Sequence, residues 1–272
     1  MPNKEPDDIP PRDFMAYHFN RGKRVFAGSV TLEDVPGALA SAANVLAGMK
    51  FNLVNSESQN VPRTNLSVWS FFAENGDKSV EMQKVLDEIR RVPRVVKANV
   101  HEGADGVVVS NGRYPLRFNT GEQALVFRRQ NFAELIRRFD SVFGSGASVV
   151  FFEMGRTMGE SDARILVDRL GKQALVRNLN ELVHLISTEG WGVPELTELT
   201  LEPLRVGLRI QDSFECTSLK ASRPKGHFFR GYLVGLSVGI FGIEVDCTEV
   251  RCASMGNPYC EFVVSQNNHR AN

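Results

Sequence analysis

The side chains best suited to chemistry are four cysteines, Cys216, Cys247, Cys252 and Cys260, all in the last quarter of a 272-residue chain. A secreted disulfide scaffold would be smaller and denser in cysteine. In a reducing compartment, this clustering points instead to metal ligands or buried thiols. Among the histidines, His184 sits in an apolar helical pattern and reads as a satisfied core residue, while His18, His101 and His269 fall in tails or linker. No dinucleotide-binding glycine fingerprint follows a predicted strand, and there is no Gly-Lys-Ser/Thr phosphate loop. Nucleophile elbows of the Gly-x-Ser-x-Gly type and His-Glu-x-x-His helices are missing as well. The expectation is a protein that recognises rather than transforms.

Composition narrows the partners. Lys plus Arg and Asp plus Glu are 32 each, so the formal net charge is zero. That argues against a dedicated nucleic-acid binder, which carries a basic excess to displace counterions. Arg90, Arg91 and Arg94 form the nearest basic patch, at an ordinary helix end. The N-terminus is acidic and proline-rich with no apolar core of a signal peptide. The most apolar stretch, 232–245, is broken by three glycines and a glutamate, and is shorter than the roughly 20 residues a spanning helix needs. A cytoplasmic protein without membrane contact is expected.

Two domains must position any site. Residues 1–22 read as a flexible tail. From 23 to 103, hydrophobic periodicity gives strand 25–30, helix 38–49, strands 52–58 and 65–73, helix 79–91 and strand 95–100. This βαββαβ order is ferredoxin-like. The run Asp34-Val35-Pro36-Gly37-Ala38-Leu39 at the first strand–helix turn resembles the ACT domain family. The resemblance implies either a regulatory site for a small ligand such as an amino acid, or a fold used only for dimerisation. Residues 104–121, rich in glycine, read as a linker. From 122 to 267, helices at 127–143, 147–170 and 174–187 precede strands 196–200, 204–211, 243–249 and 259–264 of an antiparallel sheet. Between them, helix 227–241 carries Gly231, Gly235 and Gly239 on one face, which permits close approach of another backbone. The fold class is α+β throughout.

The richest signal is Gly231-Tyr232-Leu233-Val234-Gly235, then Glu249-Val250-Arg251-Cys252, then the Gly256-Asn257-Pro258 turn and Cys260-Glu261-Phe262. With Gly155-Arg156-Thr157-Met158-Gly159 and Ser213-Phe214-Glu215-Cys216 upstream, the segment from 120 to 265 resembles the 4-vinyl reductase domain family. The resemblance implies a helical layer on an antiparallel sheet, similar to TRAPP trafficking subunits, usually dimeric, binding a small apolar or hydrocarbon ligand. It also implies zinc on Glu249, Cys252 and Cys260. A fourth family ligand would fall at Gly226, which cannot ligate, so His227 or Cys216 must complete a tetrahedral site. Four protein ligands leave no open position for an activated water, and such a zinc is structural. Cys247, two residues before Glu249, reads as a structural thiol.

With 18 Phe and only 4 Tyr, the interior is greasy. Apolar burial at about 25 cal/mol per Å² would then drive ligand binding. Candidate lining residues are Phe151, Met154, Met158, Trp191, Phe228, Tyr232, Leu236 and Phe241; the competing reading is that most of them fill the core. The expected function is a regulatory sensor, homodimeric, for a small apolar or aromatic ligand. Two alternatives stay open: an enzyme or carrier acting on a tetrapyrrole, and a purely structural dimeric adaptor.

Overall fold

The structure is a computed structural model that describes residues 14–77, 79–110, 116–118, 121–216 and 219–267. The chain divides into two compact units, Met1–Ala124 and Leu125–Asn272. Among the described residues, no helix is long and apolar enough to cross a membrane.

The first unit is the expected βαββαβ arrangement. Strands β2 (Arg24–Glu33), β3 (Asn52–Asn60), β4 (Leu66–Asn75) and β5 (Val95–Glu102) form an antiparallel sheet in the order β3-β4-β2-β5. Helices α1 (Ala38–Gly48) and α2 (Met82–Arg91) supply Ala42, Leu46, Val85 and Ile89 to a core with Phe26, Val30, Leu32 and Trp69. Gly37 enters α1 at φ 85°, a left-handed conformation that suits glycine. Leu39, expected on the inner stripe of α1, faces outward instead, because Ala38, Ala42 and Leu46 define the buried row.

Two expectations for this unit are corrected. The stretch 1–22 is not a tail throughout: Tyr17–Phe19 forms β1, paired antiparallel with β6 (Val107–Val109) inside the supposed linker. Residues 1–13, 111–115 and 119–120 lie outside the described residues, as does His269. The physical reason is a second buried face at one end of the sheet, where Val25, Ala27 and Phe72 pack with Val108 and Met15. Glu74 fastens the covering segment. Its carboxylate accepts from His18 Nε2 (2.9 Å), Asn20 Nδ2 (2.9 Å) and Lys23 Nζ (2.7 Å). Hydrogen bonds from Lys23 and Asn20 hold its pKa down at about 2.

In the second unit, β7 (Val193–Leu201), β8 (Leu204–Gln211), β9 (Val245–Arg251) and β10 (Cys260–Gln266) form an antiparallel sheet in the order β7-β8-β10-β9. Helices α3 (Arg129–Phe143), α4 (Gly146–Leu170) and α8 (His227–Phe241) accompany it. The single helix expected over 174–187 is instead three short pieces: α5 (Lys172–Arg177), α6 (Leu179–Leu182) and α7 (Leu185–Thr188). Asn178 interrupts it, bonding its own side chain back to the Ala174 carbonyl at 2.8 Å. His184 accordingly lies in a turn and is exposed, not in the core.

The glycine spacing explains how α4 and α8 meet. On α4 the buried row is Ala147, Phe151, Gly155, Gly159 and Ala163. A methyl group on Gly155 or Gly159 would overlap the carbonyls of Phe228 and Tyr232 on α8. Reciprocally, one on Gly231 or Gly235 would overlap those of Phe152 and Arg156 on α4. The helices therefore touch backbone to backbone, and neither can shift to admit a side chain without parting the pair. Gly235→Ala should destabilise the protein by about 3 kcal/mol in urea unfolding, the upper end for overpacking a closed interior. Gly48→Ala, on α1 with open space around it, should stabilise by about 0.5–1 kcal/mol. Equal effects of the two substitutions would contradict this packing.

Candidate functional site

The site is assembled from three chain segments that the sheet and α8 bring together. After β8, the turn through Asp212 is clamped by Arg129, whose Nη2 donates to the Asp212 carbonyl (2.8 Å) and the Ser213 carbonyl (3.2 Å). That turn delivers Phe214, Glu215 and Cys216 to the interior. Across the sheet, β9 carries Glu249 and runs into Cys252. A single 3-10 turn, Ala253–Met255, then leads through Gly256 (φ 93°) back to Cys260 at the start of β10. Asn257 Nδ2 locks this turn by donating to the Cys252 carbonyl at 3.1 Å.

The result is a compact group. The ligand atoms of Cys216, Glu249, Cys252 and Cys260 all lie within 4.8 Å of one another, and all four residues are buried. Cys216 Sγ stands 3.6 Å from Cys252 Sγ and 4.0 Å from Glu249 Oε1. For zinc with bonds of about 2.3 Å to sulfur in a tetrahedron, sulfur atoms would be about 3.8 Å apart. Backbone and hydroxyl groups already favour thiolates here. The Ala253 N–H donates to Cys260 Sγ at 3.4 Å, and Ser254 Oγ lies 3.0 Å from Cys252 Sγ.

Charge is the other test of fit. Among the described residues, no lysine or arginine bonds to any of the four groups. Burial pushes the Glu249 carboxyl up to about 8. The Cys216 thiol is raised by its hydrogen bond to Cys252, which in turn is lowered by hydrogen bonds from Cys216 and Cys260. Such a set holds its protons for want of a counter-charge, and a divalent cation would supply one. The residues present fit a metal of the zinc type.

Cys216 is the fourth member, and His227 is not in the group. The reason lies at Gly226. A Cβ there would stand 2.8 Å from both Glu249 Oε2 and the Phe262 ring, so the position has no room for a ligand side chain. Instead the Gly226 N–H donates to Glu249 Oε2 at 2.8 Å. Cys247 faces the apolar core beside Val245 and Val264 and takes no part, and burial raises its thiol to about 12.

Of the eight candidate lining residues, three gather round one centre. Trp191 lies 5.4 Å from Phe228 and 5.0 Å from Tyr232, ring centre to ring centre. Phe214 joins them at 5.4 Å from Phe228. Phe151 is buried against Phe139, and Leu236 and Phe241 are partly buried farther along α8. Met154 and Met158 are not brought in. Each sits one residue ahead of Gly155 or Gly159 in the buried row of α4, and so they turn outward, 39% and 40% exposed.

Residues that sequence reasoning did not single out also shape the site. Glu215 is fully buried and accepts the N–H groups of Phe228 (2.8 Å) and Phe229 (3.3 Å), while burial raises its carboxyl to about 8. Its place beside Cys216 was the available signal. Tyr232 donates its hydroxyl to Asp162 Oδ2 at 3.0 Å, and burial raises that carboxyl. Glu189 nearby is pushed up to about 7, by burial first and then by Asp162. Nothing in their spacing marks these two acids. In the first unit, an open groove of about 520 Å³ is lined by Asn44, Lys50, Asp77, Ser79, Lys84 and Glu88. It lies away from the 34–39 turn, where the ACT-like pattern led one to expect a ligand.

Comparison with known proteins places this site. Residues 206–266 match the family model of the 4-vinyl reductase domain, in keeping with the sequence motifs, and the span holds all four clustered ligand residues. An uncharacterized protein of Methanocaldococcus jannaschii is 29% identical over 112 residues, 40% of this chain and 48% of its own length. The chain spans about half the length of the curated relatives it matches. Among solved structures, the phenol-responsive sensory domain of the transcription activator PoxR, solved with phenol, is 17% identical. The match covers 54% of this chain and 78% of that one, with a TM-score of 0.47. A vinyl-4-reductase family protein from Methanocaldococcus jannaschii is 19% identical, over 54% of this chain and 100% of that one, with a TM-score of 0.34.

The two substitutions that separate the ligand alternatives are Cys216→Ser and His227→Ala. Purified with zinc in the medium, the first should hold at most a tenth of the metal of the parent chain by elemental analysis, and the second should hold the full amount. The reverse ranking would return the fourth position to His227.

Proposed function

We propose, for a chain carrying a 4-vinyl reductase domain over residues 206–266, that the second unit binds a small apolar or aromatic ligand and serves as a regulatory sensor. In this reading Cys216, Glu249, Cys252 and Cys260 hold one structural zinc. Bound there, the metal supplies the counter-charge that lets buried thiolates and carboxylate coexist. The observation that carries the reading is the position of the four-residue group at the foot of α8, the helix whose first turns bear Phe228 and Tyr232. A closed donor set leaves no exchangeable position for Lewis-acid chemistry. That favours recognition over turnover.

Magnitudes constrain the guest. A micromolar complex needs about 8 kcal/mol, or roughly 330 Å² of apolar burial at 25 cal/mol per Å². One aromatic ring system buries about 150–250 Å². The ligand is therefore larger than a single ring, or it carries a polar group that the Tyr232–Asp162 pair can meet. A homodimer is part of the same proposal. Val150, Met154 and Met158 recur at four-residue spacing on the outer face of α4, each about two-fifths exposed, an apolar stripe of the kind that self-associating helices bury.

Native mass spectrometry of the freshly purified full chain tests the reading. The expected spectrum is a dimer with one zinc per chain and an organic guest, the guest lost in Trp191→Ala while the zinc stays. A guest-free chain that captures no aromatic or fatty compound at millimolar concentration would support the structural adaptor instead. Reduction of a vinyl-bearing tetrapyrrole with an added electron donor would establish the enzyme alternative.

A further inference from the structure

The first turn of α8 has an unusual set of partners. The opening N–H groups of any α-helix lack acceptors within the helix and are ordinarily met by a Ser, Thr, Asp or Asn just before it. Here that position is Gly226, which has no side chain, and no local cap forms. The N–H groups are taken instead by two buried carboxylates from distant parts of the chain. Glu249 Oε2 accepts from Gly226 at 2.8 Å, and Glu215 accepts from Phe228 at 2.8 Å and Phe229 at 3.3 Å.

Both carboxylates belong to the metal-binding group or adjoin it. Glu249 is a member, and its two oxygens are divided. Oε1 faces Cys216 Sγ at 4.0 Å, while Oε2 faces the Gly226 N–H. Glu215 immediately precedes Cys216 in the chain, so its backbone cannot move independently of that ligand. On the other side, the residues held are themselves the aromatic cluster. Phe228 and Phe229 lie 5.4 and 6.2 Å from the Trp191 ring, and 5.4 and 5.5 Å from Phe214. Phe214, Glu215 and Cys216 are therefore three consecutive residues that reach three different places: ring cluster, helix start and metal group.

We propose that Glu215 and Glu249 are positioning residues that transmit metal occupancy to the aromatic cluster, by fixing the first turn of α8. This rests on the zinc reading above. When the metal leaves, the thiols and Glu249 repel or reprotonate, the Gly226 and Phe228 N–H groups lose their fixed acceptors, and the Phe228, Phe229 and Trp191 rings repack. The bound metal then governs which guests the cluster accepts, as well as holding the turn together. A coupling of this kind is a free-energy linkage between two sites through one shared element.

The chain's two tryptophans, Trp69 and Trp191, give a readout that needs no guest. The full chain labelled with 5-fluorotryptophan should show two ¹⁹F resonances, assigned with Trp191→Phe. Removing zinc with a chelator should displace the Trp191 signal and leave that of Trp69, buried in the first unit's core, in place. In Glu215→Gln, an amide NH₂ replaces an acceptor of a backbone N–H. That variant should keep wild-type zinc content, while its zinc-loaded Trp191 signal already lies toward the metal-free position and its response to chelation falls to less than half.

Zinc loss with an unmoved Trp191 signal would overturn the coupling and leave the zinc reading intact. Failure to take up zinc would sink both. A Trp191 signal that jumps to the denatured position on chelation would also count against the coupling, since the metal would then hold the whole unit rather than one helical turn. Should Glu215→Gln not fold, the wild-type chelation result decides by itself.

Discussion

Three thiols and a carboxylate, all buried and within 4.8 Å of one another, set the terms for the second unit. Two like charges 4 Å apart repel by about 4 kcal/mol at an effective dielectric of 20. Such a group persists only if its members keep their protons or share a cation. The raised carboxyl of Glu249 and raised thiol of Cys216 describe the first condition, and the tetrahedral spacing of the sulfur atoms suits the second. The turns that deliver Cys216, Cys252 and Cys260, and the glycine that makes room for Glu249, all serve this one juxtaposition.

The same juxtaposition organises α8. Its N-terminal groups are met by Glu215 and Glu249, and its flank is pressed backbone to backbone against α4 through Gly155, Gly159, Gly231 and Gly235. Held at one end by carboxylates and along one side by carbonyl-to-glycine contact, the helix has little freedom to rotate. Its aromatic residues can therefore present a defined surface next to Trp191 and Phe214. The polar pair Tyr232–Asp162 gives that surface one directional feature.

Much of this was legible in the sequence, and the limits have physical causes. Alternation and helical periodicity located the strands and long helices within a few residues, because each buries one face. The glycine row of α8 announced a close neighbour, since nothing else requires small residues every fourth position. Glu249, Cys252 and Cys260 could be grouped because they flank one turn. The choice of Cys216 over His227 could not be made, because it depends on a contact between Gly226, Glu249 and Phe262 that brings together residues far apart in the chain. Met154 and Met158 share the composition of a lining but sit one position off the buried row of α4. Glu215 looked like a solvated acid until its partners, the N–H groups of a later helix, came into place. Likewise β1 and β6 are too short to leave a periodic trace, and only the apolar patch beneath them accounts for their pairing.

X-ray absorption at the zinc edge on the full chain bears most directly on the central claim. The account predicts a first shell of three sulfur atoms at about 2.3 Å and one oxygen at about 2.0–2.2 Å. A shell containing an imidazole nitrogen or fewer than three sulfurs, or a chain that retains no zinc at all, would contradict it.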